Sequence, residues 1–592
     1  MVATVAWLAP LGERVSAGRP VCVLESMKME HLVTAEVDVV VVTHLVAHGD
    51  GVEVGTVLVE LVTAGENDGT EAIVTHKGVD RLAELRAREA LLHDDARPER
   101  VARRRASGLR TARENLAELV DPGSFVEYGR FAYAAQRQRR SEAELIAETP
   151  ADGLVGGIGT VNAELFGVEA ASCVVVSYDY MVLAGTQGQR NHRKKDRLFE
   201  LADRLELPVV LFAEGGGGRP GDTDTAVVTG LDTGAFARFA ALSGHVPLIG
   251  IAAGRCFAGN AALLGCCDVV IAVRGASIGM GGPAMIEGGG LGVVAPDEVG
   301  PVEVHEAAGS VDLVVESEHE AVEAAKVLLG LFQGAHPGEA PDSEALRDLI
   351  PTDRRRAFDP RPVLEGIVDR GTVVELRPGF APNMVTALAR LDGRAVAIVA
   401  NDSRYTAGAI DGPAAEKAAR FFQLAEARGL PIVSFIDTPG FMVGPQAEAT
   451  GLMRRVSRMF VAGAALSVPV VAVITRRAYG LGAQAMATGS LVAPVATLAW
   501  PTGELGGMGL EGAVRLGFRR ELEAIEDPAE RAAAEAGLIE AAYDHGRALN
   551  VAAHLEIDDV IDPAQTRERL VALLAAAPVA RRDGRRRFID TF

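Results

Sequence analysis

A lysine in a short turn is the residue of this sequence best suited to covalent modification. The segment Glu25–Glu30 reads ESMKME and separates two strand-like runs, Val21–Leu24 and His31–Val33, so it predicts a hairpin with Lys28 at its tip. An amine in that position is held away from the sheet, where a modifying enzyme can acylate it. Most lysines in turns are simply solvated, and the hairpin alone does not decide between the two interpretations.

Two glycine-containing turns could bind anions without any charged side chain. Phe257–Ala261 (FAGNA) and Tyr479–Ala483 (YGLGA) each follow an apolar strand-like run and precede a predicted helix. The first N–H groups of a helix have no partner inside the helix, so they can donate to an oxyanion. The backbone N–H groups at the starts of these two predicted helices are therefore candidates for binding an anion. A tight turn that needs glycine for its shape would explain the same pattern.

An internal repeat places these turns at equivalent points of two similar units. Leu207–Val210 (LPVV) recurs as Leu430–Val433 (LPIV), and Val246–Ile249 (VPLI) recurs as Val468–Val471 (VPVV) at almost the same spacing. The two glycine-containing turns share the spacing of the second pair. Alternating strand and helix patterns in each copy therefore predict a duplicated α/β unit of about 220 residues.

The first sixty residues contain a shorter repeat and predict a small β sandwich. Gly12–Gly18 follows the pattern Gly-x-x-Val-x-x-Gly, which recurs as Gly49–Gly55. Each copy precedes a short strand-like run, so the two halves are expected to pack as two similar sheets. Because the repeat begins close to Met1, we expect this domain to lack a first strand.

Composition excludes several classes of protein. The 592 residues are 48% hydrophobic and 23% charged, which is typical of globular domains and excludes a disordered or fibrous chain. A net charge of −21 argues against nucleic acid as a partner. No apolar run is long enough to span a membrane, and no signal peptide pattern is present at the start of the sequence. The five cysteines follow neither a disulfide framework nor metal-ligand spacing, so we predict a cytoplasmic protein without metal.

Residues 1–62 resemble the biotin carrier domain of biotin-dependent carboxylases. The signature of that domain is Met-Lys-Met at a hairpin tip, and Met27, Lys28 and Met29 match it. Ser26 stands where the family usually has alanine, whereas a lipoyl carrier usually has aspartate before the lysine and alanine after it. The resemblance implies that a biotin–protein ligase attaches biotin to Lys28.

The remainder resembles the carboxyltransferase (beta) subunits of acyl-CoA carboxylases, which contain two crotonase-like α/β folds in tandem. The matching motifs are Asp152–Gly159, Gly185–Gly188, Pro378–Asn383, Asp437–Phe441, Arg476–Gly480 and Trp500–Pro501. The predicted organisation is a carrier domain over 1–62, a linker and helix over 63–98, an N-terminal carboxyltransferase domain on the acyl-CoA side over 99–345 and a C-terminal domain on the biotin side over 346–592.

This resemblance implies transfer of a carboxyl group from N1-carboxybiotin on Lys28 to the α-carbon of an acyl-CoA, giving a malonyl-CoA-type product. The family uses one backbone N–H pair in each half. Here the pair at Gly259 and Asn260 would stabilise the thioester oxyanion, and the pair at Leu481 and Gly482 would stabilise the ureido oxyanion of biotin. Biotin can itself accept the α-proton, so no side-chain base is needed. Asn260 departs from the glycine that is usual in the family.

The resemblance also indicates residues that could bind the substrate. Gly216 and Gly217 lie in a segment that reads EGGGGR, where the family usually has DSGGAR. Gln484 occupies the place of an aspartate that shapes the acyl pocket in short-chain enzymes, so the acyl preference is left open. Arg193 and Lys194 are candidates for binding the pyrophosphate of coenzyme A. A solvated helix face would explain that charge run equally well.

The partners that the resemblance implies are an ATP-dependent biotin carboxylase on another chain and a second copy of this chain, as a dimer or trimer of dimers. The alternative that uses the same site is a biotin-dependent decarboxylase or a transcarboxylase running the reaction in reverse. Two further hypotheses are a crotonase-type hydratase or isomerase and a carrier protein without catalytic activity. A hydratase would need acidic residues at the two glycine turns, which offer none.

Overall fold

The computed structural model describes residues 3–64, 81–219, 221–224, 231–577 and 588–592. The chain divides into two compact units, Met1–Asp80 and Arg81–Phe592, which are described separately here. Residues 65–80 of the predicted linker lie outside the described residues. The rest of the predicted linker beyond them is helical and belongs to the second unit.

The first unit is a β sandwich of two small sheets with strand orders β4-β3-β1-β6 and β2-β5-β7. Its strands are β1 (Ala3–Leu8), β2 (Arg14–Val15), β3 (Pro20–Ser26), β4 (Met29–Thr34), β5 (Val39–His44), β6 (Gly51–Val52) and β7 (Val59–Thr63). The four glycines that begin and end the two repeat copies have φ between 83° and 98°, a conformation that favours glycine. This explains why glycine occupies these four positions of the repeat.

The described residues do not contradict the expectation that a first strand is missing, because one sheet has four strands and the other has three. Strand β1 belongs to the four-stranded sheet, where it pairs with both β3 and β6. Val5 of β1 and Cys22 of β3 are buried in the resulting core.

The second unit contains two large sheets, and the first has seven strands in the order β16-β14-β12-β11-β10-β9-β8. Its strands are β8 (Val126–Glu127), β9 (Leu154–Thr160), β10 (Ser172–Tyr178), β11 (Val209–Phe212), β12 (Leu248–Ala252), β14 (Val269–Val273) and β16 (Leu313–Val315). A separate parallel pair lies beside it, formed by β13 (Arg255–Phe257) and β15 (Ser277–Gly279). Strands β10 to β16 of the main sheet run parallel, whereas β9 is antiparallel to β10.

The second sheet has the order β17-β18-β19-β20-β21-β22-β24, with β23 paired to β21. Its strands are β17 (Val374–Leu376), β18 (Met384–Leu391), β19 (Arg394–Asn401), β20 (Ile432–Thr438), β21 (Val470–Tyr479), β22 (Ala496–Ala499), β23 (Glu504–Gly506) and β24 (Asp559–Val560). As in the first sheet, an antiparallel pair, β18–β19, is followed by parallel strands. The duplicated α/β unit that the sequence predicts is therefore present.

Helices surround both sheets. Those of the first half are α1 (Arg81–Ala90), α2 (Pro98–Ala106), α3 (Ala112–Leu119), α4 (Glu142–Glu148), α5 (Ala163–Ala171), α6 (Gln189–Leu205), α7 (Ala235–Ala240), α8 (Gly259–Gly265), α9 (Pro283–Gly288), α10 (Val302–Ala308) and α11 (Glu318–Gln333). Those of the second half are α12 (Arg361–Glu365), α13 (Gly412–Arg428), α14 (Pro445–Glu448), α15 (Leu452–Ala464), α16 (Gly480–Met486), α17 (Leu510–Gly517), α18 (Arg519–Glu523), α19 (Pro528–His545), α20 (Ala548–Ala553) and α21 (Thr566–Ala576). None of the described helices is long and apolar enough to cross a membrane.

The two halves of the second unit share one hydrophobic core. A single cluster of buried side chains includes Ile249 of the first sheet and Ile432 of the second. Buried ion pairs also join the halves, because Arg428 of α13 lies 2.8 Å from Asp268 and Arg377 lies 2.9 Å from Asp312. The relative position of the two sheets is therefore set by packing and by paired charges together.

Candidate functional site

The hairpin that carries Lys28 has an unusual turn. Met27 and Lys28 are its two central residues, with φ of 55° and 66°, and Ser26 pairs with Met29 across the turn. A two-residue turn with positive φ at both positions favours Asn-Gly, whereas side chains such as Met and Lys cost roughly 1–2 kcal/mol each there. Met27 and Lys28 therefore suit this turn less well than Asn and Gly would. This indicates that they serve a purpose other than forming the turn.

The side chains of this turn are open to solvent. Met27 is 94% exposed and Met29 is 66% exposed, which is far more than folding requires of methionine. Within the described residues, the Lys28 amine has no hydrogen bond or ion pair. The turn therefore presents a free amine between two exposed apolar side chains, which suits attachment of biotin.

The first candidate oxyanion hole lies at the start of α8. Strand β13 ends at Phe257, and Ala258 then turns the chain with φ of 52° into the helix. In the part of the chain that the structure describes, the N–H groups of Gly259 and Asn260 have no acceptor, because the first bond to the preceding turn comes from Ala262. The two donors that the sequence predicts are therefore available.

The predicted substrate-binding glycines lie beside this hole. A Cβ atom on Gly217 would come within 2.7 Å of the Ala258 Cβ and 3.7 Å of the Gly259 nitrogen. The neighbouring Gly216 donates its N–H to the carbonyl of Ala184. The structure thus brings Gly216 and Gly217 together with the start of α8, and only glycine at 217 permits this close approach.

The second candidate hole lies at the start of α16 and is built by closer backbone packing. A Cβ atom on Gly482 would lie 2.7 Å from Gly440 and 2.9 Å from the nitrogen of Phe441. Leu481, which supplies the other predicted N–H group, is 60% exposed. Leu481 and Gln484 both line a cavity of about 530 Å³, whose wall also includes His545. Gln484 therefore lies close to the second candidate hole.

Two isolated bridges confirm that the two holes are equivalent. Gln187 pairs with Gly218 in the first half, and Ile410 pairs with Phe441 in the second, with the same sequence offset between the two halves for both partners. These bridges hold the glycine segment of each half against the turn that precedes α6 or α13. The equivalence thus extends from the sheets to the loops that form the candidate site.

The predicted coenzyme A ligands are not at either hole. Arg193 is exposed on α6, whereas Lys194 is buried and donates to the Leu154 carbonyl at 2.5 Å. Burial lowers the pKa of Lys194 to about 8, although Glu127 raises it in part. The equivalent lysine of the second half, Lys417, is also buried and also donates to backbone carbonyls. This repetition favours a role in folding for Lys194.

A cavity of about 800 Å³ contains the cationic groups that sequence reasoning passed over. Its lining includes the arginines Arg100, Arg103, Arg104, Arg110, Arg255 and Arg274. Four of these arginines, Arg100, Arg103, Arg104 and Arg110, come from one basic run of the sequence. The spacing of Arg100, Arg103 and Arg104 along α2 places them on one face of the helix, and that was the available signal.

This cavity includes residues from the two segments that lead to the first hole. Glu214 and Arg255 line it, and they lie two and four residues before Gly216 and Gly259. The Arg104 guanidinium donates two hydrogen bonds of 2.6 Å to the Glu214 carboxylate. No ion pair of Arg103 occurs among the residues that the structure describes, so its charge is available to an anion.

The structure brings one set of possible metal ligands together, Glu118, His319 and Glu323. These side chains are largely solvent-accessible, and Glu118 already accepts hydrogen bonds from Arg110 and His319. Each carboxylate oxygen of Glu118 thus has a protein partner, so the cluster is explained without an ion.

Comparison with known families agrees with this geometry. The family model described as a carboxyl transferase domain matches residues 103–588, and that described as a biotin-requiring enzyme matches residues 1–61. The chain belongs to the carboxyl transferase family. It is a biotin-dependent acyl-CoA carboxyltransferase, and the predicted family and fold class are confirmed.

Individual relatives of this carboxyltransferase cover most of its length. The methylmalonyl-CoA carboxyltransferase 12S subunit of Propionibacterium freudenreichii subsp. shermanii is 34% identical over 86% of this chain and 96% of its own. The biotin-dependent long chain acyl-coenzyme A carboxylase beta4 subunit of Mycobacterium tuberculosis (strain ATCC 25618 / H37Rv) is 32% identical over 83% of this chain and 94% of its own.

Solved structures give the same result. A single-chain, multi-domain long-chain acyl-CoA carboxylase is 52% identical with a TM-score of 0.80, over 97% of this carboxyltransferase but only 55% of the larger chain. The transcarboxylase 12S structure, described as a hexamer assembly with methylmalonyl-coenzyme A bound, is 32% identical with a TM-score of 0.73 over 88% of this chain and all of its own.

Proposed function

We propose that this chain transfers a carboxyl group from biotin on Lys28 to the α-carbon of an acyl-CoA, giving a malonyl-CoA-type product. The observation that carries the proposal is the equivalence of the two helix starts, at Gly259 and at Gly480. The transfer passes through two oxyanions, and two sets of fixed N–H donors are the arrangement that stabilises them without reorganisation.

Lys28 fits the role of biotin attachment because its amine is exposed, free and held at a rigid turn. When bound there, biotin carries the carboxyl group and supplies the nitrogen that accepts the α-proton of the substrate. Met27 and Met29 present apolar surface on either side of the amine. They would orient the attached group and be recognised by the biotin–protein ligase.

The first hole would hold the thioester oxygen of the acyl-CoA. The N–H groups of Gly259 and Asn260 would donate to this oxygen as it gains charge, with the backbone of Gly216 and Gly217 as the adjoining wall. The support for this assignment is the arginine-lined cavity, whose lining includes Glu214 and Arg255 from the segments that lead to this hole. A thioester placed at Gly259 leaves the rest of coenzyme A within reach of that cavity.

The phosphates of coenzyme A would bind in this cavity, and not at Arg193 and Lys194. Guanidinium groups match phosphate geometry, and Arg103 has an uncommitted charge among the described residues. Arg104 would hold Glu214 in place beside the substrate. Replacing Arg103 with alanine is therefore expected to raise KM for the acyl-CoA more than it lowers kcat.

The second hole would receive the biotin ring. Leu481 and Gly482 would donate to the ureido oxygen, and the cavity of about 530 Å³ beside them would enclose the ring. Gln484 lines that cavity where short-chain enzymes have aspartate. A neutral amide there removes a charge that a bound apolar group would otherwise desolvate.

Carboxylation is the direction we propose. The 52% identical structure is that of a long-chain acyl-CoA carboxylase, which favours carboxylation of a long-chain substrate. The alternative is transcarboxylation or decarboxylation, for which a relative named methylmalonyl-CoA decarboxylase subunit alpha, from Veillonella parvula, is 30% identical over 80% of this chain. The loading of Lys28 would be carried out by an ATP-dependent biotin carboxylase, and the hexamer described for transcarboxylase 12S supports a trimer of dimers.

The proposed division at residues 345 and 346 is supported by the positions of the sheets. Every strand from β8 to β16 lies within 99–345, and every strand from β17 to β24 lies within 346–592. The proposed carrier range 1–62 ends within β7.

The test uses the purified protein alone. It is incubated with free biotin and, one at a time, malonyl-, methylmalonyl- and long-chain carboxyacyl-CoAs, and loss of the carboxyl group is measured. Biotin-dependent loss with one of them supports the proposal and identifies the acyl group. Absence of loss with every substrate would overturn it.

A further inference from the structure

A buried lysine that the proposed mechanism does not use lies behind the first hole. Lys195 is on α6 and is fully buried, with 0% of its surface exposed. Its Nζ donates hydrogen bonds to the Tyr178 hydroxyl at 2.9 Å and to Gln187 Oε1 at 2.8 Å. No ion pair of Lys195 occurs within the described ranges. An amine buried without a carboxylate partner is costly, so its presence calls for a specific reason.

Two carboxamides connect this amine to the first hole. Gln187 Nε2 donates to Asn260 Oδ1, and Asn260 Nδ2 donates to the carbonyls of Glu214 at 2.7 Å and Gly185 at 3.2 Å. Carbonyls can only accept, so the carbonyls of Glu214 and Gly185 fix the orientation of the Asn260 amide and, through it, that of Gln187, whose Oε1 accepts from Lys195. The hydrogen bonds therefore all run the same way from donor to acceptor: Lys195 donates to Gln187, and Gln187 donates to Asn260.

The backbone of the same residues contacts the glycine segment. The Gln187 N–H donates to the Gly217 carbonyl at 2.6 Å, and the Gln187 carbonyl accepts from the Arg219 N–H at 2.9 Å. Asn260 is the second residue of α8 and carries one of the unpaired N–H groups. The three side chains therefore join α8 to the glycine segment and to the turn at Gly185.

The second half forms its hole without this network. The positions equivalent to Tyr178, Gln187, Lys195 and Asn260 are Asn401, Ile410, Ala418 and Gly482. There the backbone of α16 packs directly on Gly440, with no room for a Cβ atom on Gly482. The fold itself does not require a buried amine or amides at these positions, so the first half has them for a reason particular to its site.

We propose that Lys195, Gln187 and Asn260 form a positioning relay that sets the geometry of the first oxyanion hole. This inference rests on the proposed function, in which that hole holds the thioester oxygen. Lys195 and Gln187 act through Asn260, and their side chains do not themselves touch the substrate. A displacement of about 1 Å in an active site costs on the order of 100-fold in rate, so loss of the relay acts on turnover.

The experiment compares Lys195→Met with Lys417→Met. Each variant loses a buried amine from the equivalent long helix, α6 or α13, but among the described residues the Lys417 amine donates only to the carbonyls of Arg377 and Phe380. The reaction measured is biotin-dependent loss of the carboxyl group from the carboxyacyl-CoA that the wild-type protein uses. We expect kcat of Lys195→Met to fall about 10- to 100-fold with KM nearly unchanged. Lys417→Met should lower only the thermal unfolding midpoint.

A second variant keeps the test decisive if Lys195→Met does not fold. Gln187→Glu preserves the size of the side chain and the acceptor for Lys195, but replaces the donor to Asn260. We expect it to fold, to keep the oligomer size of the wild type and to lose about tenfold in kcat.

The outcomes separate the relay from the proposed function. Equal kcat in wild type, Lys195→Met and Gln187→Glu would overturn the relay and leave the function intact. An equal fall in kcat for Lys417→Met would also overturn the relay, because burial alone would then explain the loss. A wild-type protein that removes no carboxyl group would overturn the proposed function and the relay with it.

Discussion

The two halves of the carboxyltransferase use equivalent carboxylates differently. Glu214 follows β11 and Asp437 lies near the end of the equivalent strand β20, and the two occupy matching positions of the internal repeat. Burial would raise the pKa of Asp437, but hydrogen bonds from Arg477 and Arg476 hold it below its ordinary value. Burial raises the pKa of Glu214 above its ordinary value, although Arg104 opposes the shift. The same fold thus favours the ionised form of Asp437 in one half and disfavours the ionised form of Glu214 in the other.

The two candidate oxyanion holes also differ. In the first half, the side chains of Gln187 and Asn260 connect the start of α8 to neighbouring turns by hydrogen bonds. The second half holds α16 by contact between the backbones at Gly482 and Gly440. The two copies of the fold thus keep their backbone N–H donors in equivalent positions. They fix these donors by different contacts, side-chain hydrogen bonds in the first half and direct backbone packing in the second.

Replacing Lys28 with arginine separates the role of the two halves from that of the carrier, because it removes the attached biotin and leaves both halves unchanged. We expect Lys28→Arg to abolish biotin attachment, measured by streptavidin blotting, and to reduce ATP-driven carboxylation by the full system to background. The reaction with free biotin should be unchanged, because it depends on the two halves alone. Lys326→Arg, at a lysine paired with Glu323, is the control. Biotin attachment that persists in Lys28→Arg would refute the carrier assignment.

The backbone contact of the second half is tested by Gly482→Ala. A Cβ atom there would clash with Gly440, so the N–H donors of α16 must move, and kcat should fall about 100- to 1,000-fold with little change in KM for the acyl-CoA. Gly537→Ala in α19 is the matched control, because its Cβ would meet nothing within 4 Å. Normal kcat in Gly482→Ala would contradict the assignment of this helix start as a catalytic hole.

Replacing each of the two equivalent carboxylates by its amide tests whether their surroundings differ. Asp437→Asn leaves the buried Arg476 and the partly buried Arg477 without this counter-charge and should lower the free energy of unfolding by about 3–5 kcal/mol. Glu214→Gln leaves only Arg104, and the loss should be about 1–3 kcal/mol, the range for one unsatisfied buried group. Urea unfolding of both variants measures the difference. Equal losses would mean that the two carboxylates have equivalent surroundings.

The smallest effect expected is a difference in pH dependence. Because the folded pKa of Asp437 lies below its ordinary value of 3.8, its contribution to stability is complete above that pH and is lost as the pH falls through the folded pKa. Glu214 has the opposite sign, because its folded pKa lies above 4.5 and the folded state loses stability as the pH rises through it.

Thermal unfolding midpoints from pH 7 to pH 3 give the measurement for this pH effect. The difference between wild type and Asp437→Asn should be constant down to about pH 4 and then shrink. The wild type should lose stability relative to Glu214→Gln as the pH rises above 4.5. A difference between wild type and Asp437→Asn that shrinks between pH 7 and pH 5 would contradict the lowered pKa.

The parts of the site that could be predicted are those formed by residues close in the sequence. Lys28 and its two methionines form one turn, and each helix start follows its own strand, so local patterns and the internal repeat were enough to find them. The repeat of the carrier domain could likewise be recognised in the sequence. Each of its glycines has a left-handed backbone conformation, which glycine adopts at least cost, so the fold leaves a pattern of glycines.

The parts that could not be predicted join distant segments. The arginine-lined cavity brings α2 together with Arg255 and Arg274, and the relay brings α6 together with α8. Lys194 and Lys195 are adjacent in the sequence, yet one donates to a backbone carbonyl and the other to Gln187. A charge run in a sequence does not show which of its members faces solvent.

The sequence by itself determined the two kinds of domain, the lysine that takes the biotin in our proposal and the backbone turns at Gly259 and Gly482. These depend on local conformational preferences and on periodicity, which neighbouring residues establish. Only the tertiary structure decided which arginines share a cavity, which lysine is buried behind the first hole and how strongly each carboxylate is ionised. Burial and long-range hydrogen bonds control these properties, and both arise when the chain packs.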